Sequence, residues 1–147
     1  MKAARILLAE DSAQDVELTL NALAQHNLAN SVEVARDGAE ALDYLHKRGK
    51  YAARDNGNPV LMLLDLKMPR VDGLEVLRQV KADAALRAVP IVMLTSSKEE
   101  RDLVESYRLG VNAYVVKPVD FGRFAAAIRE IGVFWAVLNV TPGTAGA

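Results

Sequence analysis

Short continuous apolar runs alternate along the chain with stretches whose apolar side chains return at helical spacing. A continuous run of strand length marks a strand covered on both faces. Its alternation with helical segments predicts βαβ units around a parallel sheet. The clearest run is Val60-Leu61-Met62-Leu63-Leu64, preceded by Pro59 and ending in Asp65. Four more strands are predicted at Arg5–Glu10, at Ser31–Ala35, from Pro90 through Ile91-Val92-Met93-Leu94, and at Asn112–Val116.

The segments between them carry helix signals. Ser12–His26 sets Val16, Leu18, Leu20 and Leu23 among polar positions. A second helix opens at Asp37 with Glu40 and places Ala41, Leu42 and Leu45 at helical spacing. Asp72 with Glu75 opens a third that reaches Asp83, and Ser97 with Glu100 a fourth that stops before Gly110. A last helix starts at Asp120 and passes through Ile128, Ile131 and Leu138. In each of the first three pairs a side-chain oxygen stands where it can accept an orphan N–H of the first turn. Ser12 with Asp15 repeats that pattern in acidic form. Lys47–Asn58 is polar and without clear period, hence a surface loop, and Thr141–Ala147 reads as a disordered tail. The expected fold is α/β: a doubly wound five-stranded parallel sheet flanked by five helices, of flavodoxin-like topology, in one domain over residues 1–140.

Composition narrows the class. With 147 residues, 51% hydrophobic and 25% charged, the chain is long enough for one substantial core. A net charge of −1 supplies no basic field for nucleic acid or an anionic membrane. The absence of cysteine removes disulfides and thiolate metal sites. No apolar stretch approaches the roughly 20 residues that span a bilayer, and Met1-Lys2-Ala3-Ala4-Arg5 shows no signal-peptide pattern. A cytoplasmic protein is expected.

The chemistry lies at the strand ends. The first strand runs into Glu10-Asp11, the third into Asp65, the fourth into Thr95-Ser96-Ser97, and the fifth into Lys117-Pro118. In an open α/β sheet these ends border the ligand crevice. Three carboxylates brought together there repel unless a cation sits among them, and all-oxygen ligation suits Mg2+ or Mn2+. Such a metal leaves room for a phosphoryl group, whose charge it neutralises during in-line transfer. Lys117 would pair with phosphate as a point charge, and the Thr95 hydroxyl would donate to it. Asp65, central among the three acids, is the expected nucleophile, with Glu10 and Asp11 serving the metal.

The set Glu10-Asp11, Asp65, Thr95 and Lys117-Pro118, with the loop Asp65-Leu66-Lys67-Met68-Pro69, resembles the receiver domain of bacterial two-component response regulators. The resemblance covers the chain from about Ala4 to Leu138. It implies that Asp65 accepts a phosphoryl group from a sensor histidine kinase or an intermediate phosphotransfer protein. It further implies Mg2+ ligated by Asp11, Asp65 and the backbone carbonyl of Lys67, with Glu10 acting through metal-bound water. Thr95 and Tyr114 would turn inward together, and a cis bond before Pro118 would aim Lys117. The output would be an altered surface, around the fourth helix and fifth strand, offered to a downstream protein. The long segment from Arg48 to Asn58, with Phe134-Trp135, is similar to the small response regulators that partner bacterial and cyanobacterial phytochromes. That likeness implies a light-regulated kinase as phosphate source.

Other readings fit less well. Phosphohydrolases of the haloacid dehalogenase type place a second acid two residues after the nucleophile, where this chain has Lys67. The same lysine argues against a two-metal nuclease. A flavin module needs a hydroxyl- and glycine-rich loop after its first strand, but Glu10-Asp11-Ser12-Ala13-Gln14 is acidic. A degenerate receiver acting only as an interaction protein would lack the site residues. An enzyme with a separate substrate is therefore not expected. His26 and His46 read as helix-end residues, and Lys47, Arg48, Lys50 and Arg54 as a solvated loop. The last helix is apolar over more than one stripe, which predicts a homodimer with Phe134 and Trp135 at its interface.

Overall fold

The computed structural model describes residues 5–25, 32–55, 57–96, 99–117 and 121–130. Strands β1 (Ile6–Ala9), β2 (Val32–Ala35), β3 (Leu61–Leu64), β4 (Ile91–Thr95) and β5 (Ala113–Val116) form one parallel sheet in the order β2-β1-β3-β4-β5. Helices α1 (Ala13–Gln25), α2 (Gly38–His46), α3 (Gly73–Ala82), α4 (Glu100–Arg108) and α5 (Phe121–Glu130) alternate with them. This is the doubly wound, flavodoxin-like architecture that the apolar runs predict. β1, β2, β3 and β5 are a residue or so shorter than expected, whereas β4 runs one residue further, to Thr95, which pairs with Val116.

Side chains alternate across the sheet and sort into two cores. Leu7, Met62, Leu64 and Met93 face Leu42, Leu45, Leu77 and Val80 of α2 and α3. Ile6, Leu8, Leu63 and Leu94 face Val16 and Leu23 of α1 and Phe124 of α5. With both faces covered, β1, β3 and β4 up to Leu94 are apolar at every position, which is why they read as runs rather than alternations. Ile6 pairs in register with Val32 on one side and Leu61 on the other. From β1 the chain therefore winds first one way and then the other, and the loops leaving β1 and β3 diverge to open a crevice.

Three predicted caps form. Asp37 Oδ1 accepts the Glu40 N–H at 2.8 Å, Asp72 Oδ1 accepts that of Glu75 at 2.9 Å, and Ser12 Oγ accepts that of Asp15 at 3.2 Å. The Ser12 cap is only half a box, since the Ser12 N–H donates to Glu10 Oε2 at 3.2 Å and the Asp15 carboxylate turns elsewhere. At α4, Glu99 occupies the cap position but its side chain makes no capping bond to the helix and instead accepts from Arg101 Nε at 2.7 Å. Ser97, Pro118, Asp120, His26, Phe134, Trp135 and the tail lie outside the described residues.

Leu18, one of the apolar positions of α1, is 57% exposed. One expectation needs correction: the segment Lys47–Asn58 is not a plain surface loop. It contains a 3-10 turn, Gly49–Tyr51, whose Tyr51 ring is buried edge-on against Tyr44 with centroids 5.1 Å apart. The Tyr51 hydroxyl donates to Glu40 Oε1 at 3.0 Å. Arg54 lies 4.1 Å over the Tyr44 ring and donates to the carbonyls of Tyr44 and Gly57. One aromatic and one guanidinium thus supply the anchoring that a periodic apolar stripe supplies elsewhere. Arg48 and Lys50 pair with Asp43 and Glu40 of α2 at 3.4 and 2.7 Å.

Candidate functional site

Backbone hydrogen bonds fix the strand tips before any side chain acts. The Asp65 N–H donates to the Ala9 carbonyl at 3.0 Å, that of Glu10 to Ala35 at 2.9 Å, and that of Lys117 to Thr95 at 2.8 Å. The tips of all five strands are joined by these bonds and by the sheet. Gly73, the first residue of α3, lets the helix close on the site. A Cβ there would stand 2.2 Å from the Asp65 carbonyl oxygen.

On this frame the acids converge. Glu10, Asp11 and Asp65 each offer an oxygen within 4.8 Å of the others. Glu10 and Asp65 are buried, whereas Asp11 is exposed and leaves the group open on one side. Burial and the neighbouring Asp65 carboxyl push Glu10 up to about 7, against the pull of Lys117. The Lys117 ammonium contacts Glu10 Oε1, Asp15 Oδ2 at 2.9 Å and Asp65 Oδ2 at 3.4 Å. Burial would lower Lys117, but the carboxylates of Glu10 and Asp15 outweigh it and hold the ammonium above its usual range. One cation among four acids leaves an excess of negative charge. Hard oxygen donors with that excess suit a divalent cation such as Mg2+ or Mn2+.

Thr95 ends β4 and is 1% exposed, and Tyr114 stands half-buried on β5 against the core shared by α2 and α3. Beside the acids runs a cleft bordered by Asp11, Leu66, Lys67, Pro69, Asp72 and Asp102. The loop forming its wall is bolted to the start of α2. Arg70, with φ of 68°, donates from Nε to Asp37 Oδ2 at 3.0 Å and from Nη2 to Oδ1 at 2.9 Å. Burial would raise Asp37, but Arg70 and the Glu40 N–H hold it below the usual carboxylate range. Next to this clasp a Cβ on Gly38 would lie 1.8 Å from the Val71 carbonyl oxygen, so the two loops touch backbone to backbone.

The sequence profile of the response regulator receiver domain matches residues 6–129, most of the chain. The chain belongs to that family. Among solved structures, this receiver domain is similar to "Bacteriophytochrome response regulator RtBRR", with 58% identity, TM-score 0.85, and coverage of 99% of this chain and 87% of that one. It is equally similar in shape to the bacteriophytochrome response regulator AtBRR, with 60% identity, TM-score 0.85, and coverage of 95% and 100%. Response regulator Rcp1 of Synechocystis sp. is 36% identical over 130 residues, 88% of this chain and 87% of Rcp1. The Mn2+-bound form of Rcp1 superposes with TM-score 0.75 over 94% of this chain and 97% of that one, also at 36% identity. Membership in this family implies a histidine kinase or another phosphodonor as partner. Among the described residues, no helix is long and apolar enough to cross a membrane.

The structure brings together Glu10, Asp11, Asp65 and Lys117, sets Thr95 at the adjoining strand end, and places Lys67 on the cleft. Two participants escaped the sequence. Asp15 reads there as half of a cap, although at one turn into α1 it faces back toward the strand tips. Asp37 reads as a cap alone, and nothing local announces that Arg70, 33 residues on, will share its carboxylate.

Proposed function

We propose that this receiver domain accepts a phosphoryl group on Asp65 and uses the resulting charge to change its surface for a downstream protein. The observation that carries the reading is the meeting of the Lys117 ammonium with Glu10 and Asp65 inside a three-carboxylate group. A carboxylate oxygen of Asp65 attacks phosphorus while the donor's P–N bond, or P–O bond for acetyl phosphate, breaks and the leaving atom keeps the electron pair. Asp11, Asp65 and the Lys67 carbonyl would hold Mg2+, with Glu10 reaching it through water; Mn2+ fits the same donors. Bound there, the metal neutralises charge on the transferring group. Lys117 and the Thr95 hydroxyl steady the phosphoryl oxygens, and Tyr114 moves with Thr95.

The likeness to bacteriophytochrome regulators supports a phytochrome-type histidine kinase, or a phosphotransfer protein after it, as the donor. A cytoplasmic setting and a homodimer through the C-terminal segment around Phe134 and Trp135 complete the reading. Mass from light scattering should fall in Trp135→Ala if that dimer forms.

Beryllofluoride with Mg2+ tests the nucleophile. It should bind the parent and fail to bind Asp65→Asn. Acetyl phosphate with Mg2+ should leave an acid-stable, base-labile phosphate that mass spectrometry maps to Asp65. Equal beryllofluoride binding by Asp65→Asn, or a phosphate mapped elsewhere, would overturn the assignment.

A further inference from the structure

Three carboxylates share the Lys117 ammonium, but they do not share the same fate when a divalent cation enters. Glu10 and Asp65 belong to the group whose oxygens lie within 4.8 Å of one another, together with Asp11. Asp15 is not in that group. It contacts Lys117 Nζ at 2.9 Å, closer than Asp65 does at 3.4 Å. A cation held in the group would engage Asp65 directly and Glu10 through water, and would repel the ammonium beside them. Asp15 is then the one described partner of Lys117 that the cation leaves alone.

Hydrogen bonds fix the position of Asp15. It stands in the first turn of α1, its N–H bonded to Ser12 Oγ at 3.2 Å, and Ser12 is in turn bonded to Glu10 Oε2 at 3.2 Å. A short chain of bonds therefore sets the spacing between the strand tip and the Asp15 carboxylate. The Lys117 side chain is 12% exposed and that of Asp15 36%, so the pair sits at the rim of the pocket with the ammonium turned inward. An ammonium has three N–H donors. One held by Asp15 leaves two for the pocket.

From this we infer that Asp15 is a positioning residue for the phosphoryl site: it tethers Lys117 when the metal group withdraws Glu10 and Asp65, so that the ammonium stays aimed at the phosphoryl oxygens. The inference rests on the assignment of Asp65 as phosphoacceptor. A bland alternative exists, since an acid in the first turn stabilises a helix through the macrodipole alone. That role would be indifferent to Lys117.

A double-mutant cycle separates the two. Beryllofluoride affinity in saturating Mg2+ is measured for the parent, Asp15→Asn, Lys117→Ala and the double variant, each first shown to be folded by circular dichroism. Asp15→Asn should weaken beryllofluoride by roughly three- to tenfold, as befits a charge-assisted bond partly open to solvent. The same substitution on the Lys117→Ala background should change nothing. The Lys117 ammonium resonance of the beryllofluoride complex, slow to exchange in the parent, should exchange faster in Asp15→Asn. Unchanged or tighter binding by Asp15→Asn, or an equal loss with and without Lys117, would overturn the tether while leaving Asp65 in place. Equal binding by Asp65→Asn would instead sink the underlying site, and the tether with it.

Discussion

Replacing Asp65 with asparagine should make the metal-free protein more stable, although it removes the proposed phosphoacceptor. At about pH 8, Glu10 must be ionised against a value pushed up to about 7 from 4.5. At about 1.4 kcal/mol per tenfold, that ionisation costs about 3 kcal/mol. Burial is the largest cause and survives the substitution, but Asp65 follows through both its hydrogen bond and its charge. Two unit charges 4.8 Å apart repel by about 3 kcal/mol at an effective dielectric of about 20, and the Glu10 and Asp65 oxygens lie no farther apart than that, so the Asp65 charge accounts for a substantial part of the cost. Lys117 offsets part of this, and after losing its 3.4 Å contact to Asp65 it keeps Glu10 and Asp15. The net release is on the order of 1–2 kcal/mol, or roughly 2–8 °C in Tm for a domain of this size. Calorimetry in chelator should show Asp65→Asn melting above the parent, and millimolar Mg2+ should raise the parent more than the variant. A variant that melts lower in chelator, with parent-like circular dichroism, would refute the crowding argument, as would equal stabilisation of both by Mg2+.

Two further outcomes follow from the same geometry. Glu10 keeps its proton up to about 7 when folded but only to about 4.5 when unfolded, so its stabilising contribution is full at low pH and lost as pH rises toward neutrality. Urea midpoints of metal-free protein should fall between about pH 5.5 and about pH 8, and Glu10→Gln should flatten that slope; an unaltered slope would exclude Glu10 as its source. Gly38→Ala should destabilise by about 1–3 kcal/mol and weaken Mg2+ binding, because a Cβ 1.8 Å from the Val71 carbonyl displaces the loop that also carries Lys67. Denaturation and Mg2+ titration check it, and parent-like values in both would show that the two loops do not depend on each other.

Much of the architecture was legible because burial on both sheet faces forces continuous apolar runs, and nothing else in a short domain produces them so regularly. Leu61–Leu64 and Ile91–Thr95 are the plainest cases. Caps such as Asp37 and Asp72 were legible because their partners lie three residues away. The packing of Tyr51 on Tyr44 was not, since a single aromatic in a polar stretch carries no period. Leu18 shows the converse: it is apolar like Val16 and Leu23, but its angle around α1 turns it to solvent. The crevice acids could be anticipated from strand ends alone, whereas the partition of Lys117 among Glu10, Asp15 and Asp65 depends on where α1 begins relative to β5, which only the folded chain decides.

The ammonium comes from the margin of the sheet. β1 and β3, which deliver Glu10, Asp11 and Asp65, each have neighbours on two sides, whereas β5, which leads to Lys117, is bonded among the described strands to β4 alone. Shifting either acid-bearing strand would break two ladders, but shifting the outer one strains a single ladder four residues long. The three acids thus rise from strands paired along both edges, and the ammonium follows a strand paired along one. The Lys117 N–H bond to the Thr95 carbonyl ties that outer tip to its hydroxyl-bearing neighbour.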